Sequence, residues 1–316
     1  MRRRAPQRGA GRPSRRGRAL RLLALGAIAA GVALPLARRR LGLPHPVTAA
    51  AAVAAPFGLA VAVPRSRMRD AAVYALQMWA YIVLHELPYD DPRKLERRAF
   101  VHYPIRFDSA VFGTAPTVAL QRVLARPGTE TGLDHLLVFV HWAWFVQPHA
   151  AAAWILWRHP ERFPRAGTMI CAVFDLGLIG YLAVPTAPPW WAADQGLIPG
   201  MRRIMAEVGR RVWGRLWSPL YGFLGGNPLA AMPSLHFATS LMAARVLAEN
   251  GRTAGAAGWA YAGVLGFALV YLGEHYVVDL LAGAALVEAI RRLGPHAAPL
   301  LERVAGTVRD LEARAT

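Results

Sequence analysis

The chain has 316 residues, of which 55% are hydrophobic, and its mean hydropathy is +0.27. This composition excludes an ordinary water-soluble domain. The formal charge of +18 alone would suggest a nucleic-acid-binding protein, but the arginines lie mostly between apolar runs, as is typical of membrane proteins, so we expect no nucleic-acid partner. A single cysteine, Cys171, excludes an internal disulfide and a metal site built from thiolates.

The N-terminus is rich in Arg, Pro and Gly, and residues 1–18 predict a basic, disordered cytoplasmic tail. The basic stretch and apolar run at 14–37 could form a cleaved export signal. No convincing A-x-A cleavage site follows, and more apolar runs come after it. We therefore favour a retained first membrane helix over a cleaved signal.

Eight apolar runs approach the length of about 20 residues that crosses a bilayer. They predict an all-α integral membrane protein of about eight transmembrane helices, two in residues 19–66 and a six-helix catalytic core in 67–293. We expect outer loops at 88–132 and 188–230, and a mobile cytoplasmic tail at 294–316. The runs lie at about residues 20–37, 46–64, 70–87, 133–157, 167–187, 231–249, 254–273 and 275–293.

Arginines in the short loops set the expected orientation, because positively charged residues prefer the cytoplasmic side. With eight spans, the arginines of three short loops and of the C-terminal tail lie on the same side as the basic N-terminus. Only the arginines at residues 38–40 would lie on the opposite side. The predicted protein therefore crosses the plasma membrane several times. The end of span five, the start of six, the end of seven and the start of eight all emerge outside.

One acidic residue, Asp175, lies deep in the fifth span, about 18 Å from its outer end at 1.5 Å per residue. Ionisable groups inside a membrane usually pair with each other or serve an ion path. We favour a structural pair of Asp175 with His141 or His149, with a proton or ion path as the alternative.

Two segments carry candidate chemistry, AMPSLHFATS at 231–240 and YLGEHYVVDLLAG at 271–283. His275 and Asp279 are four residues apart, so on a helix they share one face. Asp279 can then bind one ring nitrogen of His275 and leave the other free as a nucleophile. His236 can serve as the acid that protonates a leaving group.

These segments resemble the second and third signature motifs of the type 2 phosphatidic acid phosphatase superfamily, whose members cleave phosphate esters through a phosphohistidine. The HYVVD spelling and VPTAPPWWA at 184–192 are similar to the branch of inositol-phosphoceramide synthase and sphingomyelin synthase. The resemblance covers roughly residues 103–293. It implies a six-helix core, the catalytic set His236, His275 and Asp279, a lipid phosphoester substrate, and neither metal nor other cofactor.

The chain departs from the phosphatase form of these motifs. Ala268 and Leu269 stand where phosphatases carry Ser-Arg, and VPTAPP lacks the Lys and Arg-Pro of the first motif. A phosphate-binding cation must then come from elsewhere, and Arg106 in HYPIRFDSAVFG is the first candidate, since a guanidinium can bind phosphate through two hydrogen bonds. Its alternative is an ordinary surface arginine. Arg202 and Arg215 are further candidates.

Two more residues are candidates for substrate binding. Ser234 either hydrogen-bonds a phosphate oxygen or caps the sixth span. Thr186, among prolines, either forms a rigid helix exit, which we favour, or takes the place of the missing first motif.

The sequence therefore predicts a lipid phosphotransferase at the outer membrane face, similar to inositol-phosphoceramide synthase, with an alcohol as acceptor. The first alternative is a lipid or polyprenyl phosphate phosphatase, for which the acceptor is water. An alternative of another class is a lipid-binding or transport protein without catalytic activity.

Overall fold

The computed structural model describes residues 14–316, without the side chains of residues 221 and 223–225. This part of the chain is all-α, with three isolated backbone bridges and no extended strand. Its helices are α1 (Arg15–Leu41), α2 (His45–Ala62), α3 (Arg67–Glu86), α4 (Pro92–Arg98), α5 (His102–Phe112), α6 (Pro116–Leu124), α7 (Gly132–Ala143), α8 (Gln147–Arg158), α9 (Phe163–Ala183), α10 (Pro189–Asp194), α11 (Ile204–Trp213), α12 (Trp217–Gly225), α13 (Leu235–Ala248), α14 (Arg252–Tyr271) and α15 (Val277–Ala315), with 3-10 turns at Leu87–Asp90 and Gly214–Leu216.

Four helices of the described chain, α1, α2, α9 and α14, are long and apolar enough to cross a membrane, and α13 is apolar but shorter. The protein is therefore a membrane protein with an all-helical fold, while the count of eight spans stays a prediction. The apolar part of α3 is shortened because its first turn carries Arg67, Arg69 and Asp70.

The chain forms two compact units, one of the residues up to Ala80 with Ala297–Thr316 and the other of Tyr81–His296. The division of the chain at residues 67 and 293, into two N-terminal membrane helices, a core and a tail, stays a prediction. In the first unit α1 and α2 pack closely, and Gly31 permits this because it has no side chain. A Cβ atom at Gly31 would come within 2.5 Å of the Ala51 carbonyl oxygen. Small residues allow such close packing of membrane helices.

Both predicted tails need correction where the structure describes them. Residues 1–13 lie outside the described chain, but α1 already begins at Arg15, where the Ser14 hydroxyl oxygen accepts a hydrogen bond from the Gly17 amide at 3.1 Å. The segment 294–316 is not a mobile tail but the last part of α15. Its Val308, Leu311 and Ala315 recur at helical spacing and pack with apolar residues of α1 and α2.

The predicted span at 133–157 is two helices, α7 and α8, joined by a turn at residues 144–146. The cause is Pro148 at the second position of α8, which has no amide hydrogen and whose ring would clash with the carbonyl four residues earlier. The turn closes with hydrogen bonds between residues three apart, such as Trp144 N to the His141 carbonyl at 3.1 Å. Trp144, in this turn, contacts residues of α13.

The stretches 88–132 and 188–230, expected as loops, contain six short helices. The most amphipathic is α11, whose Ile204, Met205 and Val208 are buried in a cluster with Leu137 of α7 and Tyr271 of α14. Apolar residues on one helical face explain this packing.

Candidate active site

The two sequence motifs meet within the second unit. His275 Nδ1 lies 3.2 Å from Asp279 Oδ2, and His275 Nε2 lies 3.0 Å from His236 Nδ1. The backbone amide of Tyr276 donates a second hydrogen bond to Asp279 Oδ2 at 2.9 Å. Asp279 and His275 are buried and His236 is half-buried. These contacts connect the Asp279 carboxylate to His275 and His275 to His236. Such an arrangement suits an oriented nucleophile with a proton carrier beside it.

Backbone contacts hold the two motifs together. Ser234 caps α13, its hydroxyl oxygen accepting from the Phe237 amide at 3.3 Å, and its own amide donates to the Asp279 carbonyl at 2.9 Å. Gly283 lies against the same turn, since a Cβ atom there would come within 2.7 Å of the Ser234 carbonyl oxygen. Of the two roles considered for Ser234, the structure shows the cap.

A tight turn after α14 sets the position of His275. Gly273 has a φ of 74°, which a glycine adopts without strain. The amides of Glu274 and His275 then both donate to the Leu269 carbonyl, at 3.0 and 3.1 Å. From α6, the Thr117 hydroxyl donates to the Val270 carbonyl at 2.7 Å and so satisfies another group at the end of α14.

One supporting residue, Asp108 of α5, was not singled out from the sequence. Its carboxylate accepts hydrogen bonds from the Val277 and Val278 amides at 2.8 and 3.1 Å, and its side chain is buried. An anion at a helix N-terminus satisfies free amides and opposes the positive end of the dipole. Burial raises the pKa of Asp108, although the two backbone hydrogen bonds act in the opposite direction. The sequence signal was the lone acidic residue of HYPIRFDSAVFG, two residues after Arg106.

The arginine candidates do not reach the catalytic set in this structure. Arg106 and Arg215 are exposed. Arg202 is bound to Glu207, whose carboxylate raises the pKa of Arg202, and it also donates to the Arg126 carbonyl at 2.7 Å. Within residues 14–316, no Arg or Lys side chain hydrogen-bonds to the two histidines or the aspartate.

Thr186 serves the local backbone. It forms bridges with Phe100 and Ala230, and its hydroxyl donates to the Val184 carbonyl at 2.9 Å. The same hydroxyl lies 3.0 Å from the Tyr103 hydroxyl, and burial raises the pKa of Tyr103 to about 12. Thr186 is fully buried, in keeping with the rigid helix exit.

A third histidine lies beside the pair. The ring of His141 stacks on His236 with centroids 4.9 Å apart and 30° between the planes. The Trp144 indole also packs on His236, at 4.0 Å, and its Nε1–H donates to the Thr239 hydroxyl at 2.8 Å. Of the two partners predicted for Asp175, His141 is ruled out, because neither of its ring nitrogens has a hydrogen-bonding partner in the described chain. The pairing of Asp175 with His149 stays a prediction.

Comparison with known proteins finds a matching family and a relative. The sequence profile of the PAP2 superfamily matches residues 102–293. The phosphoinositol dihydroceramide synthase of Bacteroides thetaiotaomicron is 33% identical over 121 residues, which are 34% of this chain and 37% of that protein. The match thus spans little more than a third of that relative's length. No solved structure matches the chain. Because the profile covers more than half of the chain and contains both histidine motifs, the protein belongs to the PAP2 superfamily.

Proposed function

We propose that this protein transfers a phosphoryl or substituted phosphoryl group from a lipid phosphoester to an alcohol through a phosphohistidine. The observation that carries the proposal is the Asp279–His275–His236 chain, with contacts of 3.2 and 3.0 Å. Superfamily membership and the similarity to a synthase support an enzyme that acts on lipid phosphoesters.

In the first half-reaction His275 Nε2 attacks phosphorus, and an N–P bond forms as the P–O bond to the leaving group breaks. His236 gives its proton to the departing oxygen. Asp279 holds the other ring nitrogen of His275 and stabilises the positive charge that develops on the ring. In the second half-reaction the acceptor oxygen attacks phosphorus, the N–P bond breaks, and His236 takes the acceptor's proton. Because His236 Nδ1 lies 3.0 Å from His275 Nε2, a phosphoryl group at His275 must enter between the two rings.

Transfer is favoured over hydrolysis by two observations. Ala268 and Leu269 replace the Ser-Arg pair of the phosphatase form, and the relative is named for a synthase.

Purified protein should be incubated with labelled lipid phosphoesters, with and without inositol or other alcohols. A new phospholipid that forms only with the alcohol supports transfer. Release of phosphate alone identifies a phosphatase, and no turnover with any donor favours a lipid-binding or transport protein.

The phosphohistidine is tested by His275→Ala. Wild-type protein quenched during turnover should carry an acid-labile, base-stable label, and the variant should carry none. We expect turnover to fall by about 10⁴-fold or more, because the nucleophile itself is lost. His135→Ala is the matched control, since this half-buried histidine pairs with Glu130 at 3.1 Å and not with either catalytic histidine. Substantial activity in His275→Ala would refute the mechanism.

We also propose that the chain spans the plasma membrane eight times, with the catalytic histidines at the outer face. The arginine distribution supports this orientation. Single cysteines at Ser109 and Ser218, in a Cys171→Ala background, should react with impermeant reagents in intact cells. Labelling only after lysis would place the site on the cytoplasmic side.

A further inference from the structure

The ring of His141 presents an unusual polar group in the protein interior. The residue is only 4% exposed, and both ring nitrogens lack a hydrogen-bonding partner within residues 14–316. Leaving a buried donor or acceptor unpaired costs about 1–3 kcal/mol, so buried polar groups are nearly always satisfied. A histidine kept in this state calls for a hydrogen-bonding partner that is not a residue of the described chain.

The position of His141 indicates where that partner binds. Its ring lies against His236, and His236 Nδ1 is within 3.0 Å of the nitrogen that attacks phosphorus. A phosphoryl group bound to His275 is therefore separated from His141 by no more than the neighbouring imidazole. The Trp144 ring packs on His236 as well, so His141, Trp144 and His236 form one cluster.

The charge of the site indicates what the partner is. A transferring phosphoryl group carries negative charge on its nonbridging oxygens and is stabilised by hydrogen-bond donors placed beforehand. The arginines considered for this task are exposed or bound to Glu207. An imidazole N–H is a suitable donor, and His141 has ring nitrogens free for it.

We propose that His141 binds the substrate, its ring N–H donating a hydrogen bond to a nonbridging oxygen of the phosphoryl group during transfer. The proposal rests on the proposed phosphoryl transfer at His275. In this proposal His141 of α7 contacts the phosphate, because the first motif of this chain has no Lys or Arg for that contact.

His141→Phe tests the assignment, because phenylalanine keeps the ring that packs on His236 and removes both nitrogens. The detergent-solubilised variant should melt at the wild-type temperature or above it, since unpaired polar atoms are lost from the interior. Its turnover should fall about 10²–10³-fold, and kcat and kcat/KM should fall together, as for a donor used in the transition state. Inorganic phosphate should raise the melting temperature of the wild type and not that of the variant.

His159→Phe is the matched control. This half-buried histidine follows α8, and its ring packs on Trp154 at 5.6 Å, a contact that phenylalanine keeps, so turnover and the phosphate effect should remain near wild type. His141→Asn, which keeps an N–H donor, should recover part of the lost turnover.

Unchanged turnover in His141→Phe, or reduced stability with an intact phosphate effect, would overturn the assignment and leave His141 a packing residue. These outcomes differ from failure of the proposed function, in which the wild type itself forms no phosphohistidine with any lipid phosphoester.

Discussion

Replacing Asp108 with alanine tests how the start of α15 maintains the catalytic geometry. The change leaves the amides of Val277 and Val278 without an acceptor at a site where the Asp108 side chain is only 1% exposed. Water cannot readily replace the carboxylate there. The two amides belong to the turn that joins His275 to Asp279.

Two effects determine how much stability Asp108→Ala loses. Each hydrogen bond to a charged group contributes about 1.5–3 kcal/mol, but burial of the carboxylate, which raises the pKa of Asp108, offsets part of that sum. We expect a net loss of about 2 kcal/mol, near the upper end for removal of a helix cap. If the first turn of α15 relaxes, a misplacement of the nucleophile by about 1 Å costs about 10²-fold in rate.

The assay combines the melting temperature in detergent with turnover of the labelled lipid donor. Ser109→Ala is the matched control, because it removes a neighbouring half-buried polar side chain of α5 that does not cap α15. Asp108→Asn retains one acceptor oxygen and should lie between alanine and wild type in both measurements. Wild-type stability and turnover in Asp108→Ala would refute the proposed link between this cap and catalysis.

Four further outcomes are expected. Burial raises the pKa of Asp108 in the folded state above the usual 3.8, so the folded protein binds this proton more tightly than the unfolded chain does. The stability of the wild type, measured by melting curves, should therefore fall as pH rises through the raised pKa, and Asp108→Asn should lack this pH-dependent component. Gly283→Val should lower turnover at least tenfold, because even its Cβ atom would clash with the Ser234 carbonyl; an active, stable variant would contradict the close contact. Arg106→Ala should reduce turnover less than His141→Phe, since Arg106 is exposed, and a larger loss would return the phosphate contact to Arg106. Chelators should leave turnover unchanged in a metal-free mechanism, and a loss restored by one added divalent ion would overturn that expectation.

The sequence predicted the features that depend on short spacing. The spacing of His275 and Asp279 predicted their contact, which is present although His275 lies in the turn before α15 and not on the same helix. Hydropathy indicated an all-α membrane protein. The resemblance to the phosphatidic acid phosphatase superfamily is confirmed by the profile match over residues 102–293.

Contacts between distant segments could not be predicted in the same way. Asp108 caps a helix that begins 169 residues later, and no local pattern specifies that partner. The contact of His141 with His236 joins two separate helices, and hydropathy did not show that residues 133–157 break into α7 and α8. Pro148 was the visible signal for that break.

The backbone link between the two motifs bears on how the protein tolerates different membranes. Helices change tilt when bilayer thickness changes, and side chains on separate helices would then drift apart. Here the Ser234 amide is bonded to the Asp279 carbonyl, and Gly283 brings the two backbones into direct contact. If α13 and α15 cross the membrane as predicted, we expect the start of α13 and the first turns of α15 to tilt together, so that the distance between the two histidines does not change with the thickness of the surrounding lipid.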